Sequence, residues 1–82
     1  MVMGEQFDFS EALKRVKEGT KIQRGGWNGK GMFVFFVPGG TYTGSEGEFK
    51  ALPYLMMKTV DGSVVPWLIS QTDALATDWQ EA

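Results

Sequence analysis

Residues 7–19 read FDFSEALKRVKEG, and this stretch predicts an amphipathic helix that decides the architecture of the chain. Asp8 and Glu11 have the D-x-x-E spacing of a helix N-cap pair, and Gly19 is placed to end the helix in a left-handed conformation. The apolar residues recur at i, i+3, i+4 and i+7 and form one stripe: Phe9, Ala12, Leu13 and Val16. A helix with one apolar stripe must bury it against another element.

Short runs of strand-forming residues follow this helix and supply that element. Strands are predicted at residues 20–24 (TKIQR), 32–37 (MFVFFV), 54–59 (YLMMKT) and 64–68 (VVPWL), with short ones at 41–43, inside a long connection at 38–53, and at Asp78-Trp79. Asp61-Gly62 is typical of a two-residue hairpin turn, and Pro66 favours an edge strand. Residues 70–73 (SQTD) predict a cap and a short second helix that ends at Ala76. The fold class is therefore α+β: an antiparallel sheet of about four to five strands carries the N-terminal helix, with the second helix near the C-terminus.

The composition limits the chemistry of the chain. Its 82 residues predict a single domain, residues 1–82, and they include no cysteine and no histidine. This excludes disulfides, thiolate zinc sites and histidine-based nucleophile systems. An enzyme would have to use carboxylates, lysine, tyrosine or serine, so catalysis is the minority interpretation. We expect no cofactor and no metal.

The charge balance limits the partners. Eight Lys and Arg against ten Asp and Glu give a net charge of −2, which disfavours a nucleic-acid polymer but leaves a small anion possible. Residues 1–5 (MVMGE) lack the basic flank and apolar core of a signal peptide. The longest apolar run, residues 32–37, is too short to span a bilayer. We expect a soluble intracellular protein with no membrane partner.

A first candidate binding segment is residues 24–31, RGGWNGKG. Glycines allow close backbone approach to a ligand, Trp27 can stack on a base, and Asn28 can pair with a base edge or ribose hydroxyl. Arg24 and Lys30 can neutralise phosphate. The alternative interpretation is that the glycines only make tight turns and that Trp27 fills the core.

A second candidate is residues 65–73, VPWLISQTD, which places polar side chains at a predicted helix start. A helix start offers free N–H groups to a phosphate, although ordinary capping explains the same residues. Asp73 and Asp78 could perform acid–base chemistry only if they converge, and a solvated face is the simpler explanation. Three tryptophans in so small a chain favour at least one in a pocket or an interface.

Several motifs together resemble a family of small phage and prophage proteins, the second type of anti-Thoeris sponge. They are residues 9–14 (FSEALK), 26–33 (GWNGKGMF), 57–62 (MKTVDG) and 65–73 (VPWLISQTD) followed by Asp78-Trp79. The resemblance implies binding of a cyclic ADP-ribose isomer, the alarm signal of Thoeris defence, without cleavage and in the cytoplasm of the infected bacterial host. It also implies a homotetramer with pockets between subunits. Some members are implicated in holding cyclic oligonucleotides at a separate site.

The resemblance also suggests roles for individual residues, obtained by fitting residue types to a purine, two riboses and a pyrophosphate. Trp27, with Phe7 or Trp67, would stack the purine. Hydrogen bonds to ribose and base edges are expected from Asn28, Gln71 and Thr72.

The remaining roles concern charge. Arg24, with backbone N–H groups, would face the pyrophosphate, and Asp73 or Asp78 would accept hydrogen bonds from ribose hydroxyls.

The segment between Val37 and Tyr54 departs from relatives, which often carry a longer insertion there. Three alternatives to this function stay open: a sponge for cyclic di- or trinucleotides, an enzyme that degrades a cyclic nucleotide, and a structural or protein-binding phage module.

Overall fold

A computed structural model describes residues 5–27 and 31–82 of the chain. The elements of this part are, in chain order, α1 (Phe9–Lys17), β1 (Ile22–Arg24), β2 (Phe33–Val37), β3 (Gly40–Gly44), β4 (Gly47–Ala51), β5 (Tyr54–Lys58), β6 (Val64–Pro66), α2 (Gln71–Ala74) and β7 (Trp79–Glu81). Five of the strands form one antiparallel sheet in the order β6-β5-β2-β1-β7. The predicted α+β class, with its two helices, is confirmed.

The core lies between α1 and the central strands. Its fully buried side chains come from α1, β1, β2 and β7: Ala12, Val16, Ile22, Val34 and Trp79. The predicted apolar stripe of α1 explains the first two, while Leu13, at the margin of the stripe, remains 37% exposed. Strand β7 enters this core beside β1 because Arg24 pairs in register with Trp79.

The predicted ends of α1 are confirmed. The Asp8 carboxylate accepts a hydrogen bond from the Glu11 backbone N–H at 3.0 Å, which satisfies one free donor of the first turn. Gly19 has a φ of +104°, a conformation that costs a residue with a Cβ more than it costs glycine. The N-cap pair and the glycine stop therefore define this helix locally.

The prediction of a long connection at residues 38–53 is wrong in part, because this segment is a β-hairpin. Strands β3 and β4 pair from Gly40 opposite Ala51 to Gly44 opposite Gly47 and form a second sheet. Only the centre of β3 was predicted. Glycines at the ends of both strands weaken the strand pattern, and almost all of the hairpin is solvent-exposed, so no buried face marks it.

The predicted hairpin turn at Asp61-Gly62 is present, but it is longer than two residues. The Thr59 N–H donates to the Ser63 carbonyl at 2.8 Å, so the strands close around residues 60–62. A two-residue type I′ turn needs a positive φ at both central residues, and here Gly62 has one (+91°) whereas Asp61 does not. The Asp61 carboxylate instead accepts hydrogen bonds from Thr59 and Ser63, which lower its pKa.

The C-terminal elements follow the prediction closely. Strand β6 ends at Pro66 and lies at the edge of the sheet, as the proline indicated. The Ser70 hydroxyl accepts from the Asp73 N–H at 3.1 Å and begins α2, which ends at Ala74 rather than at Ala76. Within the described residues, neither helix has the length and apolarity needed to cross a membrane.

Candidate ligand-binding site

Trp79, the first residue of β7, is the centre of an aromatic cluster. Its side chain is fully buried and contacts three other rings: Phe9 at 5.2 Å, Trp27 at 5.4 Å and Trp67 at 6.0 Å between centroids. Its indole Nε1–H donates to the Asp73 carbonyl at 2.8 Å, so the polar edge of the ring is satisfied although it is buried. The four rings, Phe9, Trp27, Trp67 and Trp79, are called the tryptophan cluster below.

Trp27 and Trp67 flank Trp79 and remain half-buried. Each meets the buried ring edge-on, with interplanar angles of 78° and 79°, an arrangement that aromatic quadrupoles favour. Two indoles are thus packed on a rigid support while part of each stays accessible. The ring of Trp27 packs on the core, as the structural interpretation expected, and its role in stacking on a base stays a prediction.

Arg24, at the end of β1, lies beside the cluster and binds two carboxylates. Its Nε donates to Asp78 Oδ1 at 2.7 Å, and its Nη1 donates to Asp73 Oδ1 at 2.8 Å. The Arg24 side chain is only 19% exposed, and those of Asp73 and Asp78 are 17% and 28% exposed. We call these three residues the Arg24 network. The network links β1, α2 and the start of β7.

The glycine loop after β1 is attached to the same network. The Gly25 N–H donates to the Asp78 carbonyl at 2.8 Å, and the Gly26 N–H donates to Asp78 Oδ2 at 2.8 Å. A Cβ at Gly26 would lie 3.0 Å from that same oxygen, so the close approach depends on glycine. These hydrogen bonds use two of the N–H groups that the sequence had suggested for an anion.

The pKa shifts follow from these contacts. Hydrogen bonds from Arg24, and secondly from the Gly26 N–H, hold the pKa of Asp78 below its usual range despite some desolvation. The two carboxylates in turn raise the pKa of Arg24, Asp78 contributing most. Counted by formal charge, one arginine against two carboxylates gives the network a charge of −1.

Asp73 joins the network to the tryptophan cluster. Its Oδ1 accepts from Arg24 and, at 3.4 Å, from the Trp27 indole Nε1–H, while its backbone carbonyl accepts from Trp79. Among the described residues, its second oxygen, Oδ2, has no hydrogen-bond partner. A partly exposed carboxylate oxygen beside a half-exposed indole is suited to a ligand that combines a flat ring with hydroxyl groups.

The structure brings together most of the residues that the sequence suggested. Arg24, Trp27, Asp73 and Asp78 are in direct contact, and Trp67 joins them through Trp79. The two polar residues that open α2 next to Asp73 are solvent-exposed: Gln71 and Thr72.

Two suggested residues stand apart from this group. The ring of Phe7 lies 4.1 Å from the Arg15 guanidinium, and its backbone pairs with Trp79, while its predicted role in stacking stays a prediction. Asn28, like Lys30, lies outside the described residues, and its predicted role stays a prediction. Arg24 binds two carboxylates within the protein, and its predicted contact with the pyrophosphate stays a prediction.

Sequence reasoning missed two members of the site, Trp79 and Phe9. Phe9 was assigned to the apolar stripe of α1, which is correct, but its ring also packs between Trp67 and Trp79. Trp79 follows Asp78 and opens a short strand that pairs with β1, and this register places its ring inside. The described residues contain no group of three or more His, Cys, Asp or Glu side chains arranged to hold a metal ion.

Comparison with known proteins gives two matches that cover most of the chain. A family model described as the Thoeris anti-defense 2-like domain matches residues 7–82. A curated protein named Thoeris anti-defense 2, from Bacillus phage SP01, is 36% identical over 85 residues. That alignment covers 94% of this chain and 96% of the relative. The matched region contains the whole tryptophan cluster and the whole Arg24 network.

Proposed function

Because the chain belongs to the Thoeris anti-defense 2-like family, we propose that it is a phage counter-defence protein that sequesters a glycocyclic ADP-ribose signal without cleaving it. The observation that carries this proposal is the contact between Trp27 and Asp73, which sets a stacking surface beside a carboxylate. A cyclic ADP-ribose offers the complementary groups, a purine ring attached to ribose hydroxyls. The proposed site of action is the cytoplasm of the infected bacterium.

The purine stacks on the accessible face of Trp27 or Trp67. Stacking on an aromatic side chain contributes about 1–3 kcal/mol per base, and a ring that is already packed loses little entropy on binding. Trp79 provides that support from below. The cluster thus acts as a preformed platform.

The ribose hydroxyls donate to Asp73. Its Oδ1 is held by Arg24 and Trp27, so the direction of the carboxylate is fixed before the ligand arrives. Oδ2 is then the acceptor, with Gln71 and Thr72 on the same turn of α2 as further hydrogen-bonding groups. In this scheme Arg24 is a positioning residue that keeps the platform and the carboxylate together.

The pyrophosphate needs positive charge. The Arg24 network has a formal charge of −1, so it does not provide a surplus of positive charge to the phosphates. We therefore place the phosphates toward backbone N–H groups and toward cations of a neighbouring subunit. Exposed apolar side chains next to α2, Leu68 (93% exposed) and Leu75 (81%), are suited to a subunit contact beside the site. A homotetramer with pockets between subunits would complete the site and cover these side chains.

The state of the carboxylates favours capture over cleavage. A general acid must be protonated near neutral pH, but the pKa of Asp78 is lowered by Arg24 and by the Gly26 N–H. Both carboxylates of the network are held by hydrogen bonds from the protein rather than poised to move protons. The site is thus suited to bind the polar groups of the intact ligand rather than to stabilise a transition state for cleavage.

A thermal-shift and calorimetry panel of cyclic ADP-ribose isomers, cyclic dinucleotides and cyclic trinucleotides tests the proposal. A glycocyclic ADP-ribose should give the largest shift, and Trp27→Ala should weaken its binding about 10- to 100-fold through loss of stacking. The matched control is Phe49→Ala, which removes a half-exposed ring on the β3–β4 hairpin and should leave affinity unchanged. A shift with cyclic oligonucleotides alone would contradict the proposal, and unchanged affinity in Trp27→Ala would limit Trp27 to packing.

A further inference from the structure

A concave surface lies at the end of α1, and it shares no lining residue with the tryptophan cluster or the Arg24 network. It has a volume of about 560 Å³, within the range of small-molecule sites. Its apolar floor comes mainly from β2, with Phe33, Phe35 and Phe36. Its rim carries Lys17 and Lys21, from either side of the helix stop. We call this surface the lysine groove.

The charges of the lysine groove are opposite to those of the tryptophan site. Three lysines, Lys17, Lys21 and Lys58, line it together with one carboxylate, Glu18, so its formal charge is +2 in a chain whose net charge is −2. None of the three lysines forms a salt bridge within residues 5–27 and 31–82. Their charge is therefore available to an incoming anion.

Two of these lysines are placed over the same aromatic ring. Lys21 Nζ lies 4.8 Å from the centroid of Phe33, and Lys58 Nζ lies 5.6 Å from it. Lys58 Nζ also donates to the Gly31 carbonyl at 3.5 Å, which restricts its position further. The cations thus lie around a half-buried aromatic floor before any ligand binds, which lowers the entropic cost of binding an anion there.

The hydrogen-bonding capacity of the groove decides the kind of anion. Among the described lining residues, no side chain carries an amide or a hydroxyl group, and Glu18 is the one side-chain acceptor. A nucleotide would leave its base edge and ribose hydroxyls unpaired against phenylalanine and valine, which is unfavourable. An apolar ring bearing one negative group would place the ring on Phe33 and Phe35 and the charge between Lys21 and Lys58.

We propose that the lysine groove is a second binding site, for small aromatic anions such as an arene carboxylate or sulfonate. The proposal goes beyond the sequestration of a cyclic nucleotide. It depends on the juxtaposition of Lys21 and Lys58 over Phe33, and no residue of the tryptophan site takes part. The proposal for the lysine groove and the proposal for the tryptophan site can therefore be confirmed or rejected independently.

Calorimetric titration of the full-length protein with 1-naphthoate tests this site. Saturable binding of one 1-naphthoate per protomer is expected, and the double variant Lys21→Gln/Lys58→Gln should weaken it at least about tenfold by removing both cations. Replacing the carboxylate by a neutral group, in 1-naphthalenemethanol, should cost about the same factor. Two-dimensional NMR should show shifts at Phe33 and Phe35.

The controls distinguish binding at this site from nonspecific binding and from binding at the nucleotide site. Lys50→Gln removes an exposed lysine on β4, which belongs to the separate two-stranded sheet and does not line the groove, and should leave 1-naphthoate affinity unchanged. Trp27→Ala should also leave it unchanged. Circular dichroism and a melting curve check that each variant folds. Absence of saturable binding, equal affinity for the neutral alcohol, or tighter binding of AMP than of 1-naphthoate would overturn the proposal.

Discussion

The tryptophan site and the lysine groove are built from similar ingredients, aromatic rings and basic side chains, but they pair their charges differently. At the tryptophan site Arg24 is held by Asp73 and Asp78, and the local charge is −1. In the lysine groove, Lys21 and Lys58 lie over Phe33 with no salt bridge within the described residues. The ligand that a surface can bind depends less on whether a cation is present than on whether that cation is already paired with carboxylates of the protein.

The largest expected effect comes from removing the support of the tryptophan site. Trp79→Ala deletes a fully buried indole on which Trp27, Trp67 and Phe9 pack, so the free energy of unfolding should fall by about 3–5 kcal/mol. Denaturant unfolding followed by circular dichroism measures this loss.

The matched control for Trp79→Ala lies at the other surface. Phe35→Ala removes a half-buried ring of the lysine groove and should cost clearly less than Trp79→Ala. Equal losses in the two variants would mean that Trp79 is not the centre of the fold.

The next effect comes from breaking the charge pairing. Arg24→Met leaves Asp73 and Asp78 without their shared cation in a partly buried place, so the melting temperature should fall. Affinity for the cyclic ADP-ribose signal should fall together with stability, because Asp73 and Trp27 are no longer held in position.

Arg15→Met is the control for this variant, since Arg15 also binds several carboxylates: Glu5, Glu11 and Glu81. It should lower the melting temperature but leave ligand affinity unchanged, as measured by calorimetry below the melting range. Equal loss of affinity in both variants would contradict a positioning role for Arg24.

A smaller effect distinguishes the two carboxylates of the network. Asp73→Asn keeps the shape of the side chain but replaces a charged acceptor, so ligand affinity should fall about tenfold. Asp78→Asn should change affinity less than about threefold, because both Asp78 oxygens already bind Arg24 and Gly26. The reverse order, measured by calorimetry, would assign the ligand to Asp78.

The smallest effect is on the pH dependence of stability. The pKa of Asp78 is lowered in the folded state, so its stabilising contribution is present above about pH 4 and is lost as the pH falls through the lowered pKa. In Asp78→Asn, the decline in the free energy of unfolding between neutral and acidic pH should be smaller by about 1 kcal/mol or less. Lys21→Gln should leave this decline unchanged, and an equal change in both variants would contradict the assignment.

The sequence predicted local features well and long-range contacts less well. The Asp8 cap, the Gly19 stop and the apolar stripe of α1 depend on residues within one helix, and the structure confirms them. The β3–β4 hairpin was missed in part because it is exposed and has no buried face to give an alternating pattern. Without such an alternating pattern, an exposed strand cannot be distinguished from a loop by its sequence.

The candidate site shows the same division. Trp27, Trp67, Arg24, Asp73 and Asp78 could be selected because their side chains have the right chemistry, but their pairing could not. The contact between Arg24 and Asp78 joins residues 54 positions apart and exists because β7 pairs with β1. That pairing gives Arg24 two carboxylate partners within the protein and buries the ring of Trp79, and neither contact follows from the local sequence.

The most direct test of the central claim is a capture-and-release measurement. The protein is incubated with a glycocyclic ADP-ribose, separated from free ligand by gel filtration and denatured by heat, and the released molecule is analysed by mass spectrometry. Sequestration at the tryptophan site predicts release of the intact cyclic molecule from the wild type and its loss in Trp27→Ala. Release of a linear product heavier by one water would contradict sequestration and identify an enzyme.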